Sequence, residues 1–143
     1  FIAGTGARIT YGGDRAYYRT STDEIVMPDD HRFTDTATMT RSEAFYATLL
    51  HECVHFSGAE KRLNRQFGNR FGDQAYAFEE LVAELGAAFL CAELAITNTP
   101  RADHAQYLAN WLAVLKQDKR ALFHAAAKAA EASAYLKRVQ PPA

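Results

Sequence analysis

A chain of 143 residues, 48% hydrophobic and 23% charged, is long enough to form a domain that buries a core without disulfides. Its formal net charge of −1 argues against a strong nucleic-acid binder, and no apolar run approaches the length of a membrane span. The two cysteines, Cys53 and Cys91, both fall in apolar helical patterns, which favours buried, reduced thiols and a cytoplasmic protein. Phe1 is not an initiator methionine and no signal-peptide layout follows it, so the chain is expected to be a piece of a longer protein.

Residues 7–11 (A-R-I-T-Y) have β-branched and aromatic strand character, and Gly12-Gly13-Asp14 supplies a turn before a second short run at residues 15–18, so a hairpin is expected. A further turn at residues 20–23 leads into Glu24-Ile25-Val26-Met27, which Pro28 stops. Thr40-Arg41-Ser42-Glu43 matches a capping box, in which the hydroxyl and the glutamate satisfy the free amides of a helix start. The helix that follows is apolar on most of its circumference, with stripes through Phe45, Leu49, Cys53 and Phe56 and through Leu50 and Val54, and is therefore expected to be buried.

That helix carries His51-Glu52-Cys53-Val54-His55, the H-E-x-x-H arrangement of zinc peptidases. Residues four apart share a helix face, so His51 and His55 aim at one point and Glu52 can reach a water held there. Gly58 is a plausible C-cap, and the polar connection after it carries Lys61, Arg62, Arg65 and Arg70, read as a solvated loop in preference to a substrate- or DNA-contacting patch.

A second helix is expected from about Tyr76 to Ile96. Phe78, Leu81, Val82, Leu85 and Phe89 form its apolar face, Glu80, Glu84, Ala87, Ala88 and Cys91 a second face, and Glu79 and Glu93 a third. Glu80 and Glu84 among small residues point at a closely packed neighbour, for which the His51/His55 helix is the candidate. Asn98-Thr99-Pro100 closes this helix and opens the next, where Tyr107, Leu108, Trp111, Leu112 and Leu115 keep helical spacing. Trp111 reads as core, Asp118 as a cap, and residues 121–136 as an alanine-rich amphipathic helix. The expected architecture is α+β: one domain over residues 1–143, with a small N-terminal sheet of about three strands on a helical bundle.

A hydrolytic zinc site takes three protein ligands and leaves a fourth position for water. His51 and His55 supply two. A downstream E-x-x-x-E assigns Glu80 as third ligand, with Glu84 holding a ligand histidine from outside; the reverse assignment stays open, and Glu79 is placed on the wrong face. Glu52 would take the proton of the zinc-bound water and deliver it to the leaving amine. Tyr17, Tyr18, His31, Arg62 and His104 are candidate oxyanion or substrate contacts, and the sequence does not choose among them. If residues 24–27 form an edge strand above the helix, an extended polypeptide could bind there by strand addition.

These motifs together resemble the C-terminal zincin-like metallopeptidase domain of ArdC-type antirestriction proteins and the related domains of phage and plasmid polyvalent proteins. The resemblance rests on A-x-Y-Y and S-T-D-x-I-x-x-P near the start, Y-A-T-L-L-H-E-C-V-H at residues 46–55, R-L-N-R at residues 62–65 and E-E-L-V-A-E-L-G-A-A-F-L-C at residues 79–91. It extends through Trp111-Leu112, Leu115-Lys116 and Asp118-Lys119 into the alanine-rich helix. It implies a zincin-like fold, Zn2+ as cofactor, and a cytoplasmic protein of mobile elements that protects incoming DNA from host restriction. It also implies a single-stranded-DNA-binding domain N-terminal to this one, absent here. Two functions compete: a zinc peptidase cutting a host polypeptide, and a non-catalytic zinc-stabilised module that inhibits restriction or DNA-processing proteins by contact. Retention of Glu52 favours the enzyme, because a structural zinc site needs no base. A hydrolase acting on nucleic acid through the same metal is a third, weaker reading.

Overall fold

The computed structural model describes residues 1–68, 73–99 and 105–142. Arg70, Pro100 and His104 lie outside the described residues, as do the side chains of Tyr107 and Leu108. Three strands, β1 (Arg8–Tyr11), β2 (Tyr17–Arg19) and β3 (Glu24–Met27), precede four helices: α1 (Arg41–Ser57), α2 (Gln74–Glu93), α3 (Ala105–Gln117) and α4 (Ala121–Arg138). This is the α+β arrangement of a small sheet on a helical bundle.

The strands do not pair as the sequence suggests. β1 and β2 form no hairpin; the sheet order is β1-β3-β2, with β3 parallel to β1 and antiparallel to β2. Burial explains the difference. All four residues of β3 are buried, whereas β1 is mostly exposed, so the most apolar strand takes the centre and the chain crosses past it to lay β2 on the far side. β3 is therefore not an edge strand and cannot accept an extended peptide. The edge nearest α1 belongs to β2.

The capping box of α1 forms as expected: Thr40 Oγ1 accepts from the Glu43 amide at 3.3 Å, and the Thr40 amide donates to Glu43 Oε2 at 2.7 Å. From Leu49 to Ser57 every residue of α1 is buried. Gly58 caps the helix in ordinary right-handed geometry. Asp73 caps α2 by accepting from the Tyr76 amide at 2.9 Å, so α2 begins two residues earlier than expected and ends three earlier. Asp118 accepts from the Arg120 amide at 2.9 Å, while the N-cap position of α4 is Arg120 itself.

α2 is the central helix, packed against α1, α3 and α4. Leu49, Leu50, Val54, Val82, Leu90, Trp111 and Leu136 join Ile25 and Met27 of β3 in the core, which confirms Trp111 as a core residue. Ala125, Ala129 and Ala132 of α4 are fully buried, small enough to let α4 lie close to α2. α1 and α2 approach closely at Gly86, where an added Cβ would stand 2.8 Å from Val54 Cγ2. That close crossing brings the acidic residues of α2 against the histidines of α1.

A second tie fixes the sheet to the end of α1. Asp23, in the β2–β3 turn with φ 52°, accepts from the Tyr18 hydroxyl at 2.6 Å and pairs with Lys61 at 2.7 Å and with the Arg62 guanidinium. Arg62 Nε donates to Phe56 O at 2.5 Å, and its guanidinium carbon lies 3.6 Å from the centre of the Phe56 ring. Hydrogen bonding from Arg62, then from Lys61 and Tyr18, outweighs burial and holds the Asp23 carboxyl well below the usual carboxylate range.

Two outcomes follow from these contacts. Gly86→Ala gains at most about 1 kcal/mol of helix propensity but forces an overlap costing about 1–3 kcal/mol, so urea unfolding should show a net loss of stability. Adding Val54→Ala should cost less in the Gly86→Ala background than alone; purely additive losses would contradict the close crossing. Because the folded pKa of Asp23 is depressed, its contribution is present above the unfolded value of about 3.9 and is lost as pH falls below it. Asp23→Asn, which keeps a residue tolerant of positive φ, should be less stable than wild type near neutrality, with the gap closing below about pH 4. A gap constant from neutral to acid pH would show that the ion pair contributes nothing.

Candidate metal centre

Where α1 crosses α2, three donor groups converge. His51 Nε2 and His55 Nε2 are 3.1 Å apart, Glu80 Oε1 is 3.3 Å from His55 Nε2, and Glu80 Oε2 is 3.5 Å from His51 Nε2. A tetrahedral ion with bonds of about 2.0–2.1 Å has donor–donor edges of about 3.3 Å, which each of these separations approaches, the two Glu80 contacts being made by its two different oxygens. His51, His55 and Glu80 form the one His/Cys/Asp/Glu cluster among the described residues with metal-holding geometry, and all three are buried.

The outer nitrogens of the two imidazoles are each covered by a different carboxylate. His51 Nδ1 lies 3.2 Å from Glu84 Oε1, and His55 Nδ1 lies 3.1 Å from Glu79 Oε1. The His55–Glu79 contact is a hydrogen bond and a carboxylate only accepts, so His55 Nδ1 carries the proton; with the same neutral tautomer at His51, each Nε2 would present a lone pair to the other across 3.1 Å. Two facing lone pairs repel, and a cation between them removes the conflict. The residues present therefore fit a divalent metal.

Protonation of the rings would relieve the same conflict. Burial opposes charge on both rings, but Glu80 and Glu84 around His51, and Glu79 and Glu80 around His55, more than offset it and raise both pKa values. Glu80 shows the converse: burial works against its ionisation, yet the two histidines hold its carboxyl well below the usual range.

Glu79 corrects the sequence expectation. The helical wheel sets it on a face away from α1, yet it is 2% exposed and touches His55, because α2 is enclosed by three helices and has several inward faces. Glu93, assigned to the same face, pairs at the surface with Lys137 at 2.7 Å. Arg65 was read as part of a solvated loop. Instead it is buried, with Nε 3.0 Å from Glu79 Oε2 and Nη2 2.8 Å from Glu79 Oε1. The Arg62 side chain is likewise buried, against Asp23, whereas Lys61 pairs with Asp23 from an exposed position, as a solvated loop predicts.

A cleft of about 260 Å³ opens over the donors. His51, Glu52, His55, Glu79 and Glu80 line it together with Ala16, Tyr17, Tyr18, Phe67 and Tyr76. Glu52 thus shares the cleft with the converging donors, as a base acting there requires. Tyr17 is half exposed at the β2 edge, and its hydroxyl accepts from Arg19 at 2.6 Å. Tyr18 is less available as a donor: burial, then its bond to Asp23, push its pKa up to about 12 and commit its proton. Arg62 is not among the residues lining the cleft and is spent on Asp23 and Phe56, and His31 lies outside the cleft on an exposed 3-10 turn. Sequence reasoning missed Tyr76 and Phe67 as cleft residues; Tyr76 stands one turn before Glu80 on the same helix, which is the signal that could have found it.

Comparison with known proteins places the chain in a family. The chain is 46% identical over 143 residues to the protein y4eC of Sinorhizobium fredii, covering 100% of this chain and 45% of that protein. It is 41% identical over 129 residues to a DNA primase TraC of Escherichia coli, covering 90% of this chain and 12% of the primase. Among solved structures, the metal-free antirestriction ArdC protein of plasmid R388 superposes with a TM-score of 0.77 at 40% identity, over 96% of this chain and 48% of that one. Its Mn(II)-bound structure gives a TM-score of 0.74 at 37% identity, over 96% and 49%. The chain spans less than half the length of each of these relatives. Residues 1–128 match the family model described as zincin-like metallopeptidase, MPTase-PolyVal, and the chain belongs to that family.

Proposed function

We propose that this domain is a zinc-dependent peptidase within an ArdC-like antirestriction protein, with His51, His55 and Glu80 holding the metal and Glu52 acting as general base. The observation that carries this reading is the convergence of His51 Nε2, His55 Nε2 and the Glu80 carboxylate, at separations of 3.1, 3.3 and 3.5 Å, on the cleft that Glu52 also lines. Two imidazoles and one carboxylate leave a coordination position for water and suit zinc better than an oxygen-rich site would. A metal held there supplies Lewis acidity and lowers the pKa of a coordinated water towards neutrality.

The remaining work falls to the chain. Glu52 takes the proton of the attacking water and passes it to the leaving amine. Glu84 and Glu79 hold the outer nitrogens of the two histidines, and the reverse assignment of Glu84 as ligand is disfavoured because its nearest histidine atom is Nδ1. Tyr17, in the cleft wall, is the candidate donor to the developing oxyanion that this reading favours. An extended polypeptide would add along the free side of β2, whose other side is occupied by β3.

The likeness to ArdC of R388 supports a cytoplasmic role in protecting incoming plasmid DNA, with a host restriction-related protein as substrate or partner. Single-stranded DNA would be bound through a region N-terminal to this domain. No helix among the described residues is long and apolar enough to cross a membrane.

Glu52→Gln tests the mechanism. It should keep Zn(II) binding while lowering hydrolysis of an unfolded protein substrate by about 10²–10⁴-fold and abolishing protection in a restricting host. Full protection by the Glu52→Gln protein would instead support a non-catalytic module that blocks restriction by contact.

A further inference from the structure

Glu79 is the most deeply buried carboxylate among the described residues, at 2% exposure, yet it takes no part in the converging triangle. Its two oxygens are engaged from both sides. Arg65 grips them as a fork, at 3.0 and 2.8 Å, and Oε1 also faces His55 Nδ1 at 3.1 Å. Arg65 is itself pinned, with Nη2 donating to Val54 O at 2.6 Å and Nη1 to Ser57 Oγ at 3.0 Å. We infer that Arg65 and Glu79 form a positioning relay that fixes the orientation and tautomer of His55, so that its Nε2 faces the metal position. This rests on the proposed metal centre.

The physical reason is directional. An ionised carboxylate can only accept, so a Glu79 fixed by a bidentate guanidinium compels the proton onto Nδ1 and leaves Nε2 bare. A carboxylate free to rotate would leave the ring free to flip. The fork also keeps Glu79 charged at a depth where an unpaired carboxylate would be costly.

Gly58 gives a second handle on the relay, one it shares with Phe67 of the cleft wall. Its backbone is right-handed, with φ −81° and ψ −7°, so alanine brings no backbone strain. An alanine Cβ there would stand 2.7 Å from Arg65 Nη2, 2.8 Å from its Cζ and 2.9 Å from Phe67 Cζ. A flexible surface arginine would swing aside. This one cannot do so without releasing Glu79, Val54 or Ser57, which explains why a bare residue ends α1.

The test measures Zn(II) affinity, by competition with a chromophoric chelator, and the His55 Nδ1–H proton by NMR of the Zn(II)-loaded protein. Glu79→Gln should weaken Zn(II) binding by about 10–100-fold and shift or broaden that resonance. Arg65→Lys, which keeps charge but loses the fork, and Gly58→Ala should each weaken binding several-fold and move the same resonance. Lys61→Ala, a change at an exposed cation paired with Asp23, should do neither. Arg65→Lys and Gly58→Ala spare every carboxylate of the cluster, so they carry the test if Glu79→Gln does not fold. Cooperatively folded variants with wild-type affinity, or with weakened affinity and an unmoved His55 resonance, would overturn the relay. A wild type that binds neither Zn(II) nor Mn(II) would remove the metal centre itself, a separate failure.

Discussion

The contact between α1 and α2 confines more negative charge than it neutralises, and the rest of the domain is arranged around that imbalance. Glu52, Glu79, Glu80 and Glu84 are all buried, and Arg65 is the buried cation that reaches one of them. Burying carboxylates is costly unless each is paired and hydrogen-bonded. Two imidazoles can make up part of the deficit by taking protons, or a divalent cation can do so while leaving the rings neutral. The second solution would use the groups in place: both Nε2 atoms and Glu80 would hold the ion, with Glu84 and Glu79 beside the two Nδ1 atoms. Because metal and protons would compete for the same nitrogens, loading the proposed site would expel protons and its affinity would fall as the pH is lowered.

Bringing two charged helix faces this close requires that nothing else keep the helices apart. Gly86 against Val54 meets that requirement by steric subtraction, and the alanines of α4 let α2 be enclosed on its other sides. The sheet plays a different part. By placing the apolar β3 in the middle, the fold leaves β2 at the border of the cleft, with Tyr17 and Tyr18 on its wall. The Asp23 tie then fixes the distance between that border and the end of α1.

What the sequence made legible was periodic. The capping box, the i,i+4 histidines and the buried circumference of α1 follow from local rules, and all appear in the structure. The hairpin expectation failed because strand order depends on which strand is most deeply buried, a comparison among three segments that no single turn reveals. Glu79 was misplaced because a helical wheel assumes one inward face, and α2 has no such restriction: from Glu79 to Glu84 every residue is buried. Arg65 could not be read at all, since a loop arginine carries no periodicity to say where its side chain ends.

Arg62 and Arg65 make that last point sharper. They stand three residues apart in one loop and look interchangeable in composition, yet each is buried against a different acid: Arg62 on Asp23 of the sheet, Arg65 on Glu79 of α2. Both also bond the carbonyls at the end of α1, Arg62 at Phe56 and Arg65 at Val54. The last turn of a helix offers free acceptors and a negative dipole end, so two guanidiniums there are held by the helix that carries the histidines. The loop is therefore a connector in both senses: it joins α1 to α2 in sequence, and through two arginines it clamps the sheet and the acidic helix to the same helix end. His55 lies in that final turn, which places the more elaborately held of the two histidines at the junction of all three elements.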